Sequence, residues 1–308
     1  MRIFEYAKVA DWESRLQVLA GIAEKERWTY RSVPDRSPLP VLDGYIRYTF
    51  LRVHDQAKIA ETDRFSCFNT GLLTPGQEEI FCVFRISDLF DPNQPVGPGN
   101  KKWFLTSWAR AGDRQLTDFL ELPGLATYWT DPAELIFNPG LQVQLNLDHI
   151  IRDDLSRFPT ELGGHLDVNG VPSDLATSPD IEIEAGEVQD DDTTATAPPD
   201  IAVPLATRNA LEGSMKHSVR LAQRSYRVAV PQYHRGNIQL LLPLYLRNAE
   251  RPDLALTLER HGAWYRAATV LYPDWAYRHA RLLSRPNSEW LGGFRTDVLE
   301  EALNSRES

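Results

Sequence analysis

The residues best suited to chemistry fall in Ser225 to Leu246, SYRVAVPQYHRGNIQLLLPLYL, and in Leu254 to Leu283, LALTLERHGAWYRAATVLYPDWAYRHARLL. Both stretches set Tyr, Gln and Arg beside the longest apolar runs of the chain, so a core and a polar surface meet within a short segment. Arg227, Gln232, Tyr233, Tyr277 and Arg281 come from them, and Arg52, Asn69, Thr70 and Gly71 join from earlier in the chain. Guanidinium, amide and phenol groups with few carboxylates suit a phosphate and a base. Arg supplies a bidentate fork, Gln and Asn read base edges, and Tyr stacks. The expected ligand is single-stranded RNA or a nucleotide, bound at exposed side chains that converge from distant segments.

Two other classes of function are open. A metal-independent phosphodiesterase or nucleotide hydrolase would use His149 or His234 as general base, Arg281 or Arg227 against developing phosphorane charge, and Tyr277 as acid. A protein-interaction module would instead use the Tyr- and Trp-rich surface. No cofactor is expected. A divalent metal needs clustered carboxylates, and only Asp274 and Glu78-Glu79 stand near the other candidates; no Cys/His spacing fits zinc.

These side chains need elements to hold them, and the pattern predicts an α+β fold. It comprises a mostly antiparallel sheet, an N-terminal helix, flanking C-terminal helices and a long acidic insertion loop. Residues 11–28 read as an amphipathic helix with Asp11 as N-cap, and residues 1–40 as this helix and a connection. Residues 41–160 read as the β-rich part of the core domain. Tyr45 to Val53 is the first arm of an expected hairpin. Phe65 to Phe68 and Glu79 to Ile86 are expected strands, with Asn69-Thr70-Gly71 between them as the tight turn that links them; its backbone N–H groups either simply close the turn or also grip a phosphate. Lys101 to Arg110 is a further strand and Asp113 to Leu120 a short helix. Gln142 to Leu147 is another strand, with His149 at its end.

Residues 161–207 are acidic, Pro- and Thr-rich and poor in large apolar groups, which predicts a mobile insertion. Residues 208–295 complete the same core domain, and 296–308 form a tail. Leu211, Met215, Val219, Ala222 and Tyr226 recur at helical spacing. The opposite face carries Lys216, Arg220, Arg224 and Arg227, either a solvated face balancing the acidic insertion or a surface for anions. Gln232 to Arg235 read as an exposed link to the Ile238 to Leu246 strand, which Pro243 marks as an edge strand or one that breaks off. Leu254 to Leu258 pairs with Thr269 to Tyr272 through Arg260-His261-Gly262. Pro273 begins a helix over 274–283.

Composition narrows the partners. At 308 residues, 42% hydrophobic, the chain can bury a sizeable core. A formal net charge of −10 argues against nonspecific contact with duplex DNA or an anionic membrane. No signal peptide or spanning run is evident, so a cytoplasmic protein is expected. Cys67 and Cys82, the two cysteines, lie in apolar strand-like segments and read as reduced core thiols.

The runs NTGL (69–72), DHIIRDDLSRFP (148–159), AVPQYH with IQLLLPLYL, and WAYRHARLLSRP followed by EWL together carry a resemblance. From about Tyr45 to Leu291 the chain resembles an uncharacterised bacterial domain that accompanies OST-HTH/LOTUS RNA-binding modules. The resemblance implies an RNA-related setting and brings no reaction with it. It marks Asn69, Thr70, Gly71, His149, Arg157, Pro231, Gln232, Gln239, Tyr277 and Arg281. The chain departs from the pattern with SYR where Asn-Tyr-Lys is expected, which keeps a cation at Arg227, and with His234 in place of a Tyr. With no OST-HTH module ahead of the domain within these residues, RNA targeting is expected to be intrinsic or to come from an RNA-binding protein partner.

Overall fold

Val41, Leu42, Tyr45, Ile46, Thr49, Phe50 and Val53 are all buried. Their spacing of one, three and four is that of a helix face, and it decides the first half of the chain. In the computed structural model, which describes residues 1–32, 35, 37–164 and 204–292, these side chains line helix α3. The chain divides into two compact units at Tyr128 and Trp129.

The N-terminal unit begins with α1 (Ile3–Tyr6), β1 (Ala7–Lys8), α2 (Trp12–Ile22) and α3 (Pro40–Asp55). Asp11 caps α2 as expected, accepting from Ser14 N. The expected hairpin arm at Tyr45 to Val53 is instead part of α3. Its β-branched and aromatic composition suits a strand, but Pro40 at the first turn, Asp43 beside it and Arg52 and His54 in the last turn favour the helix. Strands β2 (Ala60–Glu61), β3 (Phe65–Leu73), β4 (Glu79–Ile86) and β5 (Trp103–Arg110) complete a sheet of order β1-β5-β4-β3-β2. It is antiparallel except at β1 and β5.

Phe50 of α3 meets Phe68 edge-on at 5.3 Å and Phe84 at 6.3 Å, which seats the helix on one sheet face. The opposite face holds Cys67, Phe81, Val83 and Ala109 under Leu116 and Phe119. The expected helix at 113–120 is a single 3-10 turn, Arg114–Leu116, that brings Leu116 inward. Cys67 pairs with Val83 and Cys82 with Phe68, so the two free thiols point to opposite faces. Burial pushes the Cys67 thiol up to about 12, as befits an inert core group.

The C-terminal unit, from Trp129, contains β6 (Gln142–Leu145), α4 (Leu147–Asp154), α5 (Leu205–Arg224), β7 (Val230–His234), β8 (Asn237–Leu244), β9 (Leu254–His261), β10 (Trp264–Leu271), α6 (Pro273–Arg281) and α7 (Glu289–Gly292). Its sheet has the order β6-β10-β9-β8-β7, antiparallel except at β6 and β10. The α+β class is therefore as the sequence predicts, with the strands shared between two sheets. The expected acidic insertion, apart from its ends, and the tail lie outside the described residues.

Pro243 does not make β8 an edge. β8 sits between β7 and β9, and its pairing with β7 ends at Leu241, before the proline. The Pro243 carbonyl accepts from the Ser218 hydroxyl of α5, so the side of the strand that lacks an N–H faces a helix, not a strand. The seam of α5 is accordingly small and polar: Leu211, Ser214, Ser218 and Ala222 are buried, and Ser214 Oγ accepts from Tyr245 N at 2.6 Å. Tyr226 falls outside the helix and is 69% exposed, so it is not the packing residue that its spacing suggests.

The register of β10 slips between Ala267 and Val270. Asp154, buried at the end of α4, satisfies the slipped segment: it accepts from Val270 N at 3.0 Å and from Thr269 Oγ1 at 2.5 Å. Arg157 pairs with Asp154 at 2.6 Å, donates to the Val270 carbonyl at 2.7 Å and lies over the Trp275 ring of α6. This network fixes α4 and α6 to the same strand. Desolvation raises the Asp154 pKa despite the Arg157 charge and the two donors.

Candidate functional site

Four segments of the C-terminal unit leave a cleft of about 270 Å³. Ile136 follows the 3-10 turn Pro132–Leu135, and Tyr226 and Arg227 follow α5. Val230 and Pro231 open β7, and Ala280 of α6 is followed by Ser284 to Ser288. Pro273 and Asp274 start α6 as the sequence predicts, and Trp290 Nε1 donates to the Val228 carbonyl at 2.8 Å, tying the end of the fold to the cleft wall. Tyr226 and Ile136 are exposed, at 69% and 56%. The lining has two arginines, Arg227 and Arg285, with the Asn287 amide and the Ser284 and Ser288 hydroxyls, and no carboxylate among the described residues.

Beside the cleft the side chains of Gln232 and Gln239 are buried. Gln232 of β7, Gln239 of β8, Glu259 of β9, Arg266 of β10 and Gln144 of β6 are register neighbours in turn, so one polar row crosses all five strands. Gln232 Nε2 donates to Gln239 Oε1 at 2.7 Å, Gln239 Nε2 donates to Glu259 Oε1 at 2.8 Å, and Arg266 donates to Glu259 Oε2. Desolvation acts to raise the Glu259 pKa, but the Arg266 guanidinium and the Gln239 amide outweigh it and hold the group low. An ionised carboxylate only accepts, which dictates the orientation of both glutamines and leaves the buried Gln232 Oε1 without a hydrogen-bond partner.

His234, on the same face as Gln232, stacks on His279 of α6 at 5.8 Å. Burial, with Arg278 and His234 adding to it, pushes the His279 imidazole down to about 3. His234 is also lowered, by burial and by Arg235, against the pull of Glu259. Both rings are neutral at physiological pH.

The residues singled out in the sequence fall in both units. Arg52, Asn69, Thr70 and Gly71 belong to the N-terminal unit, and the rest to the C-terminal unit. Arg227 and Pro231 line the cleft; Gln232, Tyr233, Tyr277, Arg281 and His149 do not. Five expected to be exposed are buried: Asn69, Thr70, Gln232, Tyr277 and Arg281 are between 0% and 7% accessible. Tyr277 and Arg281 share the inward side of α6, where a four-residue spacing puts both into the packing. Gln232 is in strand β7, not an exposed link; the link is Arg235-Gly236, both at positive φ.

Asn69-Thr70-Gly71 is a bulge inside β3 and not a turn, with the register slipping between Asn69 and Leu72. Its polar groups hold the bulge: Asn69 Oδ1 accepts from Gly71 N at 2.9 Å, Asn69 Nδ2 donates to Glu79, and Thr70 Oγ1 donates to the Ile80 carbonyl at 2.6 Å. Gly71 has φ +72°, and a Cβ there would fall 2.6 Å from the Tyr45 hydroxyl, so both conformation and space call for glycine. The hairpin turn itself is at Thr74 to Glu78. Arg52 donates to the Thr127 carbonyl at 2.8 Å and latches the end of its unit.

His149 does not close a strand. Asn146 caps α4 and puts His149 in its first turn, largely exposed, with Nδ1 3.1 Å from Asp153. That is a surface pair four residues apart on one helix. Among the described residues no group of three His, Cys, Asp or Glu side chains could hold a metal ion, and no helix is long and apolar enough to cross a membrane. Arg285, Asn287 and Ile136 were not singled out by the sequence. The only cue to the first two is the turn-forming run SRPN (284–287) after a helix.

A family model for a domain of unknown function, DUF3825, matches residues 19–290, nearly the whole of both units. The chain belongs to the DUF3825 family. No curated protein and no solved structure matches it. The DUF3825 match covers the bulge at Asn69 to Gly71, the Asp154–Arg157 network and all thirteen residues of the cleft.

Proposed function

We propose that this DUF3825 protein binds a nucleotide or single-stranded RNA at the cleft of the C-terminal unit, with Arg227 and Arg285 toward phosphate and Tyr226 stacking on a base. One observation carries the reading: in a chain of net charge −10, the cleft lining brings together two guanidinium groups, an exposed phenol ring, an amide and two hydroxyls. That is the chemistry by which an anionic heterocycle is held, and it is local enough to work against the repulsive field of the whole chain. The resemblance noted in the sequence, to domains that accompany OST-HTH/LOTUS RNA-binding modules, favours an RNA-related setting and an RNA-binding protein as a further partner, and the expected location is the cytoplasm. The hydrolase alternative has no geometry in its favour, since His149 is paired on a helix surface and Tyr277 is buried in packing.

The test is fluorescence anisotropy with labelled single strands of about ten nucleotides, at about 50 and about 200 mM salt. Binding is expected to weaken with salt, and Arg227→Ala and Arg285→Ala are each expected to weaken it about tenfold or more, since a charged hydrogen bond contributes about 1.5–3 kcal/mol. Equal affinity of the two variants and the parent chain would rule out the cleft as the binding site.

A further inference from the structure

We infer that the C-terminal half of α5 is a second contact for phosphate, so that the ligand is a single strand of several nucleotides and not a free nucleotide. The inference rests on the reading above, to which it adds the class of ligand and a surface next to the cleft.

The exposed charges of α5 are neutralised in its first half and not in its second. Arg208 is paired with Asp148, and Lys216 with Glu212. Arg220 and Arg224 are exposed, and their guanidinium groups make no ion pair or hydrogen bond among the described residues. Their four-residue spacing sets both on one side of the helix, about 6 Å apart along its axis. A basic last turn complements the helix dipole, which accounts for Arg224 but not for Arg220, a full turn further in. The surplus of cations is local. Residues 165–203 hold ten of the 43 Asp and Glu and none of the 33 Lys and Arg, so the rest of the chain is balanced, yet between Glu212 and Glu250 it has no acid at all.

This surface adjoins the cleft. Tyr226, which lines the cleft, follows Arg224 by two residues, and two Cα–Cα steps span at most about 7 Å. A strand with one unit in the cleft has Arg224, and then Arg220 one turn away, for its neighbouring phosphates, and each offers a fork of donors to an anion. A free nucleotide would leave both unused.

Anisotropy of the full chain with labelled oligouridylates of about 2, 5 and 10 nucleotides tests this. Affinity is expected to rise about tenfold or more from the shortest to the longest. Arg220→Ala together with Arg224→Ala should remove most of that gain, with the largest loss for ten nucleotides and the smallest for two. It should also lower the slope of log affinity against log salt by about 1.4, which is two phosphates at about 0.7 each on a single strand. Alanine is the best helix former, so α5 is retained. The double Arg→Lys variant keeps the charge and should keep the slope. If the alanine variant matches the parent chain in affinity and slope at every length, or if affinity does not grow with length, the second contact falls while the cleft reading stands. If polyglutamate displaces the longest strand as well as unlabelled strand does, the surface belongs to an acidic protein partner and the inference again falls. If no strand binds, both fall.

Discussion

Replacing Asp154 with alanine destabilises the C-terminal unit by about 3–5 kcal/mol, the cost of removing one partner of a buried ion pair. The substitution takes the ion-pair partner from Arg157 and removes the acceptor of the Thr269 hydroxyl and of the Val270 N–H at once. Arg157 keeps its bond to the Val270 carbonyl and retains some solvent contact, which favours the lower end of the range. Asp154→Asn keeps an acceptor for Val270 and should cost markedly less. Urea denaturation followed by tryptophan fluorescence, to which Trp275 under Arg157 contributes, reads the change as a shift of midpoint. A loss below about 1 kcal/mol for the alanine variant would show that the network is not what holds α4 and α6 to β10.

The second large effect is on pH. An unfolded imidazole takes up its proton near pH 6.5, and folded His279 does so only near pH 3. Between these values the unfolded chain holds the extra proton, so the stability tied to the neutral buried ring is complete above about pH 6.5 and is lost as the pH falls. The slope is about 1.4 kcal/mol per pH unit, which amounts to about 2 kcal/mol between pH 7 and pH 5. His234 acts in the same direction. His279→Phe keeps a ring against His234 and removes one titration, so its stability should fall less steeply over the same interval. Parallel profiles for the two proteins would mean that the ring is protonated without unfolding the unit.

Sequence reasoning reached the elements whose signals are local. Asp11 capping α2, Pro273 opening α6, the Gly262 hairpin between β9 and β10 and the reduced core cysteines each follow from one residue type in one backbone setting. It missed α3 because a window opening at Tyr45 leaves out Val41 and Leu42, and with them the helical period. It took Asn69-Thr70-Gly71 for a turn because a bulge asks for the same residues; only the pairing of Asn69 with Phe81 and of Leu72 with Ile80 separates the two. Of the side chains proposed from the sequence, only some line the cleft. Arg227 lines the cleft as expected, but Gln232, Tyr277 and Arg281 serve the interior, because a polar residue can be buried wherever a row of partners accepts it, and that row exists only once the strands are paired.

That row also has a direction. Glu259 sits between a guanidinium that can only give hydrogen bonds and an amide that must give one to it. Exchange one Glu259 oxygen for an NH₂ group, as in Glu259→Gln, and the new amide must turn its oxygen to Arg266 and its nitrogen to Gln239. Gln239 and then Gln232 rotate in sequence, which the side-chain amide resonances of the two glutamines would report. Two strands away from a change of a single atom, the interior edge of β7 would then offer a donor where it now offers an acceptor.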